Sequence, residues 1–298
     1  MKVRANGIDI EVESYGADDA PAMLLIMGLG AQLTRWPMAF VEGLVARGYR
    51  VIRFDNRDCG LSEKMDRAGT PNLLRVMGMA AIGLRPTVPY TLDDMAADAA
   101  GVLDALGIEA AHIVGASMGG MIAQLFAAHY PARTLSLASI MSTTGNRAVP
   151  RATREAMAVL TERPKTTDRE TIIAHAVRAA GVIGSPGYPQ EAAALREKVV
   201  RDFDRMHYPP GFTRQIAAIT AGGDRRRRLA TVRARTIVIH GADDPLVPVE
   251  GGRDTAANIP GAVLHEIPGM GHDLPDALIP QMVELIDANA AAAVERQR

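Results

Sequence analysis

The chain has 298 residues, enough to bury the core of one large domain or of a domain carrying an inserted piece. Hydrophobic residues make up 48% and charged residues 22%, and the net charge of −1 offers no basic surplus to a polyanion such as nucleic acid. The single cysteine, Cys59, excludes an intrachain disulfide, and no Cys/His spacing of the zinc type occurs.

The opening "MKVRANGIDIEVESYG" alternates polar and apolar residues, unlike the apolar core of a signal peptide. It reads as two short strands joined at Asn6-Gly7, a strong two-residue hairpin turn. Six apolar runs then predict buried strands: 22–27, 50–54, 111–116, 134–140, 235–240 and 262–267. Helical patterns separate them. Thr91 and Asp94 resemble a capping box, Met95, Ala99, Val102 and Leu106 form an apolar face, and Gly107 closes that helix. "MIAQLFAAHY" follows Ser117 and stops before Pro131, and the last helix tolerates Pro280 in its first turn alone. This order predicts a doubly wound, mostly parallel α/β sheet with an N-terminal antiparallel hairpin. No apolar stretch reaches about eighteen residues, so no membrane span or membrane partner is expected and a cytoplasmic location is the default.

The alternation fails between about Asn146 and Val232, where helices and Gly/Pro loops contain no strand pattern. A structureless loop of that length is implausible in a compact domain, so 146–232 is expected to be an inserted helical lid on a core of 1–145 and 233–298. A second irregular stretch, Lys64 to Tyr90, is expected to be a loop bordering the same cleft, its Met65, Met77, Met79 and Leu84 either core or pocket lining.

Ligands of open parallel sheets bind beyond the carboxyl ends of the strands. Those ends carry Gly28-Leu29-Gly30, Ser117 within "GASMGG", Asp243-Asp244-Pro245, and Gly271-His272-Asp273. A serine hydroxyl needs a neighbouring base to become nucleophilic, a histidine supplies one near neutral pH, and a carboxylate fixes the histidine tautomer. A tight strand-to-helix turn presents the serine oxygen and demands small neighbours, here Gly115 and Gly119. The helix that follows favours developing negative charge at its N-terminus, making the Met118 N–H one candidate oxyanion donor and Leu29 N–H the second. A bare G-x-S-x-G is weak evidence; the strand before, the helix after and the order Ser…Asp…His make it strong.

With these residues in view, the chain resembles the α/β-hydrolase superfamily over nearly its full length. The resemblance rests on "IMGLG" (26–30), "RFDNRDCGLS" (53–62), "GASMGG" (115–120), "HGADDPLVP" (240–248) and "GMGH" (269–272), and is nearest to bacterial esterases of the aclacinomycin methylesterase type. It implies Ser117 as nucleophile, His272 as base, Asp244 as the acid, and a small-molecule ester as substrate, with no metal or cofactor. Many members have His-Gly where this chain has Met27-Gly28; that histidine is not the base. Lactones, thioesters and peptides suit the same three residues, as does a ligand-binding protein that has lost its chemistry. Monomer and homodimer are both open.

Several rivals have blander readings. Asp243 competes with Asp244, but Pro245 holds Asp244 extended. His112 and His265 fall in strands, His129 at a helix end, and His175 and His207 in the lid; His240, ending a strand, reads as a packed core residue. Asp55 and Arg57 read as a buried polar pair organising their loop, Cys59 as a half-buried loop residue, and Arg225–Arg228 as a solvated helix face.

Overall fold

The computed structural model describes residues 1–162, 164 and 166–295. Asn6 (φ 48°) and Gly7 (φ 80°) both take left-handed backbone, turning the chain between β1 (Lys2–Ala5) and β2 (Ile8–Tyr15). Six strands follow: β3 (Ala22–Ile26), β4 (Arg50–Phe54), β5 (Ala111–Ala116), β6 (Thr134–Ile140), β7 (Arg235–Gly241) and β8 (Val263–Ile267). They form one sheet in the order β1-β2-β4-β3-β5-β6-β7-β8, antiparallel through β2 and parallel from β4 onward.

The first helices are α1 (Met38–Val45), α2 (Leu73–Ala81), α3 (Leu92–Ala105) and α4 (Met118–His129). Among the described residues between β6 and β7 there is no strand but five helices: α5 (Arg154–Thr161), α6 (Arg169–Ile183), α7 (Ala192–Arg205), α8 (Pro209–Gly222) and α9 (Arg226–Leu229). α10 (Glu250–Asn258) and α11 (Ile279–Glu295) complete the chain.

Strand β3 shows why its sequence is continuously apolar. Leu24 and Ile26 face the cluster built with α3 and α4, while Met23 and Leu25 face the cluster that takes in α1 and α11. Alternate side chains leave opposite faces, so a strand covered on both sides has no polar position. Thr91 and Asp94 make the reciprocal capping box that starts α3, and Gly107 (φ 67°) takes a left-handed conformation just beyond its end. Residues 276–295 are long and apolar enough, by length and composition, to cross a bilayer, yet their Met282, Val283 and Ile286 face is buried against the sheet.

One segment differs from its sequence reading. Within the stretch expected to be loop, 73–81 is helical, started by the Asn72 side chain accepting from the Arg75 N–H, and α2 packs on α8. Val76 and Ala80 are buried, while Leu74, Met77 and Leu84 are exposed.

Candidate active site

Strand β5 ends in a sharp turn. Ser117 has φ 56° and ψ −119°, outside the regions that L-residues ordinarily occupy. The surroundings impose it: Ser117 N–H donates to Ile140 O at 2.9 Å, the Ser142 hydroxyl donates to Ser117 O at 2.8 Å, and α4 starts at the next residue. A side chain on Gly119 would lie 2.0 Å from Ile26 O, and one on Gly115 would lie 2.1 Å from Gly119 O. Glycine at both places lets the turn close against its neighbouring strand. Nothing in a lone serine after a strand marks Ser142 in the sequence as support for the turn.

The loops after β7 and β8 bring two more groups to this point. His272 Nε2 lies 2.9 Å from Ser117 Oγ, and His272 Nδ1 lies 2.7 Å from Asp244 Oδ2. The other Asp244 oxygen accepts from the Leu246 and Val247 N–H groups at 2.9 and 2.8 Å, which sets the carboxylate's direction. Asp244 has no exposed side-chain surface and His272 retains 7%. Asp243 points elsewhere: it is exposed and accepts from the Gly269 N–H at 2.7 Å, steadying the loop ahead of His272.

Loop 27–30 lies alongside. Asn56 donates to Met27 O at 2.8 Å, Gly30 N–H donates to Gln215 Oε1 at 2.8 Å, and a side chain on Gly28 would sit 3.1 Å from Ser117 Cβ. Neither Leu29 N–H nor Met118 N–H has a hydrogen-bond partner among the described residues. Met118 opens α4, whose free amides favour a negative charge beside Ser117.

Around this point three buried carboxylates are paired with arginines. Arg57 holds Asp98 through two 2.5 Å bonds, Arg205 reaches Asp55 at 2.8 Å, and Arg214 holds Asp58 at 2.7 and 2.8 Å. Asp55 and Arg57 are therefore not a pair with each other; each finds a partner far away in sequence. Burial raises the carboxyls of Asp55 and Asp98, against the opposing pull of Arg205 and Arg57. Asp55 also accepts from the Leu33 and Leu61 N–H groups, so it braces two loops at once.

Cys59 is buried rather than half-buried, and desolvation pushes its thiol up, away from reactivity. Arg225 is buried too, not solvated: it donates to Thr143 O at 2.6 Å, and burial lowers its guanidinium to about 10. Arg226 and Arg228 pair at the surface with Asp224 and Asp93. His240 is fully buried behind Asp244, its Nε2 2.8 Å from Val247 O, and desolvation lowers its basicity. His112 shares a 2.8 Å hydrogen bond with Ser136, and His129 pairs with Asp93. Among the described residues no three His, Cys, Asp or Glu side chains gather as a metal site.

A family model for the alpha/beta hydrolase fold matches residues 21–276. The chain belongs to the α/β-hydrolase family. Among curated relatives, this α/β hydrolase is 30% identical to rhodomycin D methylesterase of Streptomyces peucetius, over 92% of both chains. The enzyme of the same name from Streptomyces sp. (strain C5) is likewise 30% identical. A 2-hydroxy-6-oxononadienedioate/2-hydroxy-6-oxononatrienedioate hydrolase of Burkholderia vietnamiensis is 28% identical over 84% of this chain and 80% of its own. Of solved structures, a meta-cleavage product hydrolase from Pseudomonas fluorescens superposes with TM-score 0.75 at 20% identity, covering 98% of each chain. At that identity the likeness speaks for the fold alone.

Proposed function

We propose that this α/β hydrolase is a serine esterase cleaving a carboxylic ester of a small to medium, moderately hydrophobic molecule through an acyl-enzyme. The observation that carries the proposal is the run of contacts from Ser117 Oγ to His272 Nε2 at 2.9 Å and from His272 Nδ1 to Asp244 Oδ2 at 2.7 Å. In this reading Asp244 keeps the proton on Nδ1, so Nε2 is free to accept one from the serine. Ser117 Oγ attacks the ester carbonyl as its proton passes to His272. The Leu29 and Met118 N–H groups then receive the oxyanion. The imidazolium returns the proton to the departing alcohol, leaving an ester on Ser117. Water, deprotonated by His272, attacks that ester, the proton passes from His272 back to Ser117 Oγ, and the acid is released.

Residues 146–232 serve here as the cap over this rim, and 1–145 with 233–298 as the core. The partner is a small molecule. Relatives that act as methylesterases make methyl esters the first class to try. The test is a panel of methyl esters, p-nitrophenyl esters and lactones run with wild type and Ser117→Ala. Turnover of methyl and p-nitrophenyl esters that depends on Ser117 is expected; turnover of lactones alone would move the reading to a lactonase, and none at all to a binding protein.

A further inference from the structure

His272 sits on a loop rather than on a strand, and what holds that loop comes from the helical insertion. His272 N–H donates to Ile183 O at 2.7 Å, at the end of α6. Gly271 N–H donates to Ser185 Oγ at 2.8 Å, and the Ser185 hydroxyl in turn donates to Asp273 Oδ1. The second Asp273 oxygen accepts from Gln190 Nε2 at 2.8 Å, and Gln190 Oε1 accepts from Lys198 of α7 at 3.0 Å. Gly187 N–H donates to Gly269 O at 2.9 Å. The two backbones are nearly in contact: a side chain on Gly271 would lie 2.3 Å from Gly184 O, and one on Gly187 would lie 2.7 Å from Gly269 Cα. Ser185 is 4% exposed, so its hydroxyl trades these bonds for no water contact when they break.

From this we infer that Ser185, Gln190 and Asp273 are positioning residues through which the α6–α7 loop of the cap holds His272 in line with Ser117. The inference rests on the esterase reading above. The residues on either side of the imidazole, and its own backbone amide, are fastened to residues 183–190, while the core supplies Asp244 to the ring and the Asp243 bond to Gly269. A cap loop that lifted away would therefore release the histidine's backbone, and the base would be fully aligned only while the loop is docked. Proton transfer over 2.9 Å is sensitive to small displacements, so loosening the loop costs rate more than it costs ester binding.

The test uses the full chain with Ser185→Ala and Gln190→Ala, beside Ser117→Ala as reference. Three quantities are read on a p-nitrophenyl ester: kcat, KM, and the rate at which a fluorophosphonate labels Ser117. The two cap variants are expected to lose ~10–100-fold in kcat with KM little changed, as a misplaced base does. Labelling should slow by a similar factor, because it needs the same proton transfer, while far-ultraviolet circular dichroism keeps its wild-type form. A merely structural role would lower the melting temperature and leave kcat per labelled site untouched; that result in both variants overturns the inference. If Ser185→Ala does not fold, Gln190→Ala, which removes the bonds to Asp273 and Lys198 at a partly exposed position, decides. Should Ser117→Ala itself retain activity, the esterase reading fails rather than the clamp.

Discussion

The two halves of the site are held by different means. Ser117 is fixed by the sheet: its unusual backbone is pinned by Ile140 and Ser142, and glycines let α4 press against the end of β3. His272 lies on a loop beyond β8, tied to Asp244 after β7 and to Ile183 and Ser185 of the helical segment between β6 and β7. A nucleophile that must be exposed yet immobile belongs on the rigid scaffold; a base carried on a loop can be coupled to whatever covers the cleft. One half is built for permanence and the other for conditional alignment.

Removing the chemistry from the rigid half is expected to have the largest effect. Ser117→Ala is expected to lower ester kcat by ~10⁴–10⁶-fold, measured against wild type on one good substrate, with the fold unchanged. A loss under tenfold would exclude Ser117 as nucleophile. On the other half, Asp244→Asn keeps the shape but lets the imidazole take the wrong tautomer. A fall of ~10³–10⁴-fold in kcat is expected, because the ring then holds its proton toward Ser117. If Asp243→Asn costs more than Asp244→Asn, the acid has been misassigned.

The packing of the helices between β6 and β7 on the rest of the chain can be probed without touching the chemistry. Arg214 of α8 is 1% exposed and holds Asp58 of the loop after β4, so Arg214→Met strands a buried carboxylate. A loss of roughly 3–5 kcal/mol in urea unfolding is expected. A change below about 1 kcal/mol, the scale of exposed ion pairs, would mean that α8 sits more loosely than its contacts imply.

A smaller effect tests the sheet. Burial carries His112 from the ordinary imidazole value near 6.5 down to about 4, so the fold holds it neutral while the unfolded chain protonates it. Between those values the unfolded state binds more protons, so the stability due to this group is complete above about 6.5 and lost as pH falls toward 4. The total is on the order of 3 kcal/mol. His240, lowered in the same direction, adds to the slope. Urea midpoints from pH 7 to pH 4.5 should drop in wild type and drop less in His112→Asn; parallel curves would refute the assignment.

What could be read from the chain alone follows the same division. The elbow is a local pattern, with glycines, serine, strand and helix inside "AHIVGASMGG", because all its constraints act within a few residues of Ser117. The strand ends bearing Leu29, Asp244 and His272 were legible for the same reason. The supports were not. Asp55 and Arg57 look like partners because they are neighbours, yet their ions come from Arg205 and Asp98, chosen by how α7 and α3 pack. The α2 helix hid among the glycines and prolines of 64–90, and it depends on α8 for its buried face. Arg225 read as one of four surface arginines, while packing brought its guanidinium to Thr143 O. Ser185 and Gln190 sit in "GSPGYPQ", a stretch whose local signal says only that the chain turns.

The esterase reading stands on activation of the Ser117 hydroxyl by His272 for attack on an ester. It is tested most directly by incubating wild type and His272→Ala with a fluorophosphonate and mapping the adduct by mass spectrometry. A single adduct on Ser117 is expected in wild type, formed far more slowly in His272→Ala. An enzyme that hydrolyses esters while Ser117 stays unlabelled, or that labels equally fast without His272, would contradict it.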